Sequence, residues 1–356
     1  MSESEAPLKA VILVGGQGTR LQPLTNFLPK PMVPLLNRPF LEHTIAYLGA
    51  YGVEDVILAS SYLPGVIRDY FGDGGGLGVS LAYSVEETPL GTAGAVKQVE
   101  RYLDGTFIVL NGDIFTDLDI HDMLSVHRSK NSKATISLVS VDNPAAFGLV
   151  ETDAGGRVKR FIEKPSPGDI TTSWINAGTY ILEPEVLQYV PEGRYMFERG
   201  LFPGLLEKGE PVYGYKYSGY WLDMGTPQKY HRLNVDLLAG KATSLLERYP
   251  EGNGISCGRR VRIHPSAIVE GPAVIGDGCV IRPEAQIRGP VAIGSGCHVG
   301  DKATVRAAVL WPNCRIGKSA GLENCIIGSG TTVGDNHQAA NCVICTDNGV
   351  INQVSW

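Results

Sequence analysis

In the C-terminal third of the chain one spacing dominates. Ile263, Val269, Ile275, Ile281, Ile287, Ile293, Val299 and Val305 stand six apart without a break. The series slips by one to Leu310, resumes at Ile316 and Leu322, slips again to Ile327, and continues through Val333 and Ala339. Gly often follows, as in Ile275-Gly276, Ile293-Gly294 and Val333-Gly334. A helix needs a period near 3.6 and a two-faced strand a period of 2. Six fits neither. It fits short strands wound around a prism, each sending one aliphatic side chain inward before a corner, which is the hexapeptide β-helix pattern.

The repeat also organises the cysteines. All seven (257, 279, 297, 314, 325, 342 and 345) lie in this region, and none in the first 256 residues. Cys279, Cys297, Cys314, Cys325 and Cys342 each precede an aliphatic repeat position by two, a phase shared by Ala273, Ala285 and Ala303. A free Cys there acts as a small hydrophobe. Cys342-Val-Ile-Cys345 also reads as half of a zinc or redox site, but repeat phase already accounts for Cys342. The change in residue usage marks a boundary, with Tyr249-Pro-Glu-Gly-Asn-Gly254 as linker. The expected domains are 1–248 and 255–356. Two domains also suit 356 residues at ~150 per domain.

Hydrophobic residues make up 43% and charged residues 19%, enough apolar material for packed cores. No apolar run reaches the ~18 residues of a membrane span. The start MSESEAPLKA is acidic and lacks an apolar signal core. Seven thiols without a secretory signal suggest a reducing compartment, the cytoplasm. A net charge of −6 argues against a general nucleic-acid binder, but not against small polyanions held by a few Lys and Arg.

Residues 8–240 alternate strand-like and helix-like segments. Lys9–Val14, Asp55–Ala59 and Phe107–Leu110 read as buried strands, and Leu41–Leu48 has helical apolar spacing. Such alternation predicts an α/β domain with a mainly parallel sheet, whose ligands bind at the carboxyl ends of the strands. The first strand runs into Gly15-Gly-Gln-Gly-Thr-Arg20. Gly15, Gly16 and Gly18 let backbone N–H groups form an anion-binding concavity, and Arg20 adds a planar fork suited to phosphate. The loop is neither a Walker loop nor a dinucleotide fingerprint, and a plain tight turn is its bland reading. Lys30 lies between Pro29 and Pro31, which predicts a stiff, extended backbone that limits entropy loss on gripping an anion.

Leu110-Asn-Gly-Asp113 ends the third strand with a carboxylate, and Gly219–Thr226 presents another at Asp223. Mg²⁺ takes one or two carboxylates and completes its shell with water and phosphate oxygens; a turn or helix cap is the bland reading of each. Phe161-Ile-Glu-Lys-Pro165 carries Glu163 and Lys164, and Trp174-Ile-Asn-Ala-Gly178 carries Asn176 before a small-residue turn. Glu and Asn suit sugar hydroxyls, and Lys suits a phosphate.

Together these stretches resemble the sugar-1-phosphate nucleotidyltransferases. GGQGTRLQPLT (15–25), PKPMVPL (29–35), PLGTAGA (89–95), LNGD (110–113), FIEKP (161–165), INAGTYIL (175–182) and GYWLDMGTP (219–227) appear in family order ahead of the repeat tail. Among members the resemblance is strongest to bacterial mannose-1-phosphate guanylyltransferases. It implies a Rossmann-like catalytic domain followed by a left-handed parallel β-helix, with a nucleoside triphosphate and a sugar 1-phosphate as substrates and Mg²⁺ as cofactor. It implies that Gly15, Gly16, Gly18 and Arg20 cradle the nucleotide phosphates, with Gly91 against the nucleoside. Lys30 would contact phosphate near the reacting centre, and Lys164 the sugar phosphate. Asn111, Glu163 and Asn176 would bind the sugar, and Asp113 and Asp223 the metal. The stretch Arg194–Pro203 departs from the family: of a Ser and two acids before Phe-Pro, only Glu198 remains.

Glu86 stands five residues before Gly91, where thymidylyl-transferring relatives carry Gln. A carboxylate only accepts hydrogen bonds, and guanine's pairing edge offers two adjacent donors, so Glu86 favours GTP. The bland reading is a solvated loop acid. Competing readings are a uridylyl- or thymidylyltransferase acting on glucose 1-phosphate, a catalytically silent regulatory subunit, and an acyltransferase site using His264, His298 or His337. A β-helix has open ends and sheet faces to cover, so a homo-oligomer is expected.

Overall fold

The computed structural model describes residues 7–26, 28–242, 254–347 and 349–356. The expected linker falls almost wholly outside them. The chain divides into two compact units. One joins residues up to Gly16 with Thr44–Trp221, and the other joins Gln17–His43 with Leu222–Trp356. The expected split at 248/255 cuts the chain differently: here a loop from near the N-terminus and the helix before the repeat fall with the repeat.

The first unit is built on β1 (Lys9–Leu13), β2 (Asp55–Ser60), β3 (Ser80–Val85), β4 (Phe107–Asn111), β5 (Ala134–Ser140), β6 (Gly148–Thr152), β7 (Val158–Glu163), β8 (Trp174–Leu182) and β9 (Val212–Lys216). These nine strands form one sheet in the order β7-β6-β8-β4-β1-β2-β3, with β5 on β8 and β9 on β5. The run β4-β1-β2-β3 is parallel, as is β5–β9. Helices such as α1 (Phe40–Ala50) and α2 (Pro64–Phe71) make its crossovers. Pairings of β8 with β4, β5 and β6, and of β6 with β7, are antiparallel. The sheet is therefore mixed. A parallel step needs a crossover of a dozen or more residues, and the links among β5, β6, β7 and β8 carry no α-helix.

The β1–β4 register pairs Leu13 with Asn111. That pairing sets Gly15-Gly16 and Gly112-Asp113 at one carboxyl edge, where such sheets bind ligands. Beneath lies an aromatic core in which Phe197 and Phe202 stack at 5.4 Å with Tyr180 beside both. The three rings are fully buried.

In the second unit the repeat forms coils of short parallel strands, each pairing with the strand three further on. Ile255 pairs with Ala273, Ile263 with Ile281 and Ile268 with Gln286, a step of three hexapeptides. Beyond Ala292 the partner comes one residue sooner, as in Ala292–Val309 and Thr304–Gly321. The reason lies at one corner. Gly271-Pro272 and Gly289-Pro290 turn the first coils. Later coils turn there through single left-handed residues, Ala307, Asn324 and Asn341. This explains both slips in the sequence series. From Ile275 to Val333 the repeat aliphatics are buried, as are the five cysteines of the shared phase. Ile263 is exposed on the first coil. Helix α3 (Pro227–Leu238) packs on the face whose outward residues Ala292, Val309, Ile326 and Val343 are apolar and buried.

Candidate active site

In the first unit, Gly15 follows Val14, whose N–H bonds to Ala59 beyond the end of β1. A Cβ at Gly15 would lie 3.0 Å from Ser61 Oγ and 3.5 Å from Glu86 Oε1, so the bare backbone admits both. Gly16 takes φ 128° with nothing near its missing side chain. Glu86 is buried, which removes the solvated-acid reading. Its Oε2 accepts the Leu90 N–H at 2.7 Å, leaving Oε1 on the Gly15 side. Gly91 has a structural reason of its own: at φ 74° a Cβ would meet Met196 Sδ and Tyr195 O at 2.7 Å.

A polar cluster forms where β4, β7 and β8 approach. The Asn111 side chain lies against Gly178, where a Cβ would sit 2.7 Å from its Nδ2. Asn111 Oδ1 is buried with no hydrogen-bond partner among the described residues. Such an orphan calls for an explanation; a ligand hydroxyl would satisfy it. Asn176 accepts from Gly178 N at 3.0 Å and donates to the Tyr180 hydroxyl at 2.8 Å. The expected turn after Asn176 is instead a β-bulge within β8, a device that re-aims side chains beside functional sites. Glu163 Oε2 lies beside Gly148. Lys164 is exposed with φ 51°, uncommon outside Gly and often functional.

Glu198 belongs to this cluster, its Oε2 accepting from Thr92 Oγ1 at 3.1 Å. Burial raises its carboxyl above the usual range, and the neighbouring Glu163 adds to that. Burial likewise pushes the Tyr180 hydroxyl well above the phenol range, with the charges of Glu198 and Glu163 adding to it. Within the departing stretch Arg194–Pro203, Gly200 is held to a small residue: the Tyr195 ring lies 2.5 Å from where a Cβ would be. Around it Phe197–Leu201 winds as a π-helical turn, a feature common at functional sites.

In the second unit, Gly18 is left-handed at φ 60°, with Lys30 Cβ and Thr25 Cγ2 3.2 Å from a would-be Cβ. Thr25 Oγ1 donates to Gly18 O at 2.8 Å. The loop thus folds onto the stem of Lys30. Lys30 is buried and opens a 3-10 turn, Lys30–Met32, where an extended backbone was expected. Proline is tolerated in a helix's first turn, and Met32 N to Pro29 O at 2.8 Å closes it. Arg20 and Asp223 converge beside Gly225: a Cβ there would be 3.1 Å from Arg20 Nη2 and 3.0 Å from each Asp223 carboxylate oxygen. Lys229 Nζ contacts Asp223 Oδ2 at 3.1 Å. Sequence reasoning missed Lys229; its signal was a basic residue in the first turn of α3, after the capping Thr226 and Pro227.

Asp113 belongs to the first unit and Asp223 to the second. Among the described residues no group of three or more His, Cys, Asp and Glu converges. Each carboxylate is a hard oxygen donor of the kind that suits a hard divalent cation. No described helix is long and apolar enough to cross a membrane.

The nucleotidyl transferase family model matches residues 9–240, and a model described as the GMPPB C-terminal domain matches 269–355. The mannose-1-phosphate guanylyltransferase of Mycobacterium tuberculosis is 43% identical over 76% of each chain. A UTP–glucose-1-phosphate uridylyltransferase of Synechocystis is 34% identical over 77% of this chain and 80% of its own. Among solved structures, HddC from Yersinia pseudotuberculosis complexed with GMP-PN superimposes with a TM-score of 0.56. It is 32% identical, covering 64% of this chain and 98% of that one.

Proposed function

The chain belongs to the nucleotidyl transferase family, and we propose that it transfers the guanylyl group of GTP to mannose 1-phosphate, giving GDP-mannose and pyrophosphate. The observation that carries this reading is the 43% identity to a mannose-1-phosphate guanylyltransferase over three-quarters of both chains. The buried acceptor Glu86, beside Gly15, supports the choice of base. The relative named for UTP and glucose 1-phosphate supplies the second reading.

The sugar phosphate is already an anionic nucleophile, so no general base is needed. Its oxygen attacks the α-phosphorus in line and pyrophosphate departs. The obstacle is repulsion between phosphates, which fixed cations and N–H donors overcome by positioning and electrostatics. We assign the nucleotide phosphates to Gly15, Gly16, Gly18 and Arg20, and the reacting phosphate to Lys30. Lys164 holds the sugar phosphate, and Asn111, Glu163 and Asn176 bind sugar hydroxyls, the orphan Oδ1 of Asn111 accepting one. Gly91 lies by the nucleoside. Enzymes of this family generally use a divalent metal. We assign Mg²⁺, held by Asp113 and Asp223, where it would neutralise phosphate charge.

A matrix of four nucleotides against several sugar 1-phosphates, with Mg²⁺ omitted and restored, tests the reaction. Pyrophosphate release should be greatest for GTP with mannose 1-phosphate. UTP with glucose 1-phosphate in first place would establish the second reading, and no release from any pair would establish a silent subunit. Glu86→Gln should relax base choice; unchanged kcat/KM ratios across the four nucleotides would remove Glu86 from that role.

A further inference from the structure

Gly18, Arg20 and Lys30 ride on a segment, residues 17–43, with little regular structure of its own. Among its described residues, besides the start of α1, are two 3-10 turns and the short pairing of Pro34–Leu35 with Arg38–Pro39. The tight turn of that pairing sets both Leu36 and Asn37 left-handed, at φ 48° and 71°. Asn suits such a position; Leu does not. A strained turn persists only where its surroundings over-determine it.

The surroundings come from α3 and the repeat, within the same unit. Asn37 Nδ2 donates to Ile293 O at 2.8 Å, a carbonyl that already accepts the coil-to-coil bond from Gly276 N. Leu36 N donates to Asn234 Oδ1 at 3.2 Å. The Tyr230 hydroxyl donates to Pro34 O and itself accepts Trp311 Nε1–H at 2.9 Å. Tyr230 is wholly buried and Trp311 nearly so. A directional chain therefore runs from a repeat coil through α3 to a point four residues beyond Lys30. Closer to Arg20, Asn26 Nδ2 donates to Asp347 Oδ2 at 3.0 Å. Apolar contact alone would bury this segment; directional bonds fix its register.

We infer that the repeat region fixes the phosphate-binding segment in its working geometry, with Asn37 and Trp311 as positioning residues for nucleotidyl transfer. This rests on the reaction read above. Misplacing a substrate-holding group by about 1 Å can cost about 100-fold in rate, so a remote anchor can govern turnover without touching substrate.

Two substitutions in the full-length chain test it. Asn37→Gly keeps the left-handed backbone accessible and deletes the bond to Ile293. Trp311→Phe keeps an aromatic ring and deletes the N–H. Amide hydrogen exchange of the unliganded protein and pyrophosphate-release kinetics are measured for each. Exchange should quicken across residues 17–36 and stay unchanged in β1, β2 and β4. The kcat should fall roughly 3- to 10-fold, as for loss of one hydrogen bond, with less change in KM for the sugar phosphate. Unchanged exchange at 17–36 in folded Asn37→Gly protein, or quickened exchange with unaltered kcat, would overturn the inference. A wild-type chain inert toward every substrate pair would sink the functional reading and the positioning role in transfer with it, while exchange would still report the anchoring.

Discussion

In the sheet unit, Lys9 finds its strand partners at Asp55 and Phe107. In the repeat, each residue pairs a coil away, as Val280 does with His298. The first unit assembles from contacts distant in sequence, and the repeat coils by adding near-identical layers. Long-range assembly is slower and depends on loops closing correctly, whereas layered coils gain stability from each neighbour. The difference also separates labour. In the sheet unit, side chains at strand ends are spared from packing and free for chemistry; in the coils, nearly every inward position is spent on the core.

The largest expected contrast sets Lys164 of the sheet unit against the repeat interior. Lys164→Ala should lower kcat by roughly 10²–10³, by analogy with loss of one transition-state donor, while leaving the melting temperature nearly unchanged, since Lys164 is exposed. Ile287→Ala, at a fully buried coil position, should do the reverse: about 2–5 kcal/mol less stability, read by denaturant unfolding, with kcat of the folded protein retained. If both variants lose turnover and stability together, the division of labour is wrong.

A smaller effect should come from pH. The Glu198 carboxyl titrates above the usual range when folded, so it is protonated more readily in the native state than in the unfolded chain. Its contribution to stability is complete below the unfolded value and is lost as pH rises through the folded one. The melting temperature of Glu198→Gln, relative to wild type, should therefore climb from pH 4 to pH 7. A flat difference would show that the native cluster does not perturb this group.

Thiol labelling should barely touch function. Of the seven cysteines only Cys257 is exposed. Burial, with the neighbouring Cys342, pushes Cys325 up to about 12; burial chiefly pushes Cys345 up to about 11. A native chain should thus consume one equivalent of a thiol reagent quickly and the remaining six only on denaturation. Fast reaction of a second thiol would mean that the coils open.

How much could be read beforehand followed the same contrast. The period of six located the coils, their buried aliphatics and their cysteine slots, because each layer states the rule again. Buried apolar runs located β1, β2 and β4, and ordered motifs named the chemistry. The membership of 17–43 in the repeat's unit was not legible. It depends on single polar bonds, such as Asn37 to Ile293, that leave no periodic trace. Nor was the mixed sheet, which follows from β5 to β8 lacking crossover helices. The burial of Lys30 and the ion pair of Lys229 with Asp223 likewise depend on local turns that proline and a helix cap set in three dimensions.

The corner that changes from Gly-Pro to one left-handed residue has a wider consequence. Because the shortening falls at the same edge in each later coil, losing a residue there leaves every downstream aliphatic facing the axis. That seam is thus one line along which a coil's length is edited without rewriting the interior.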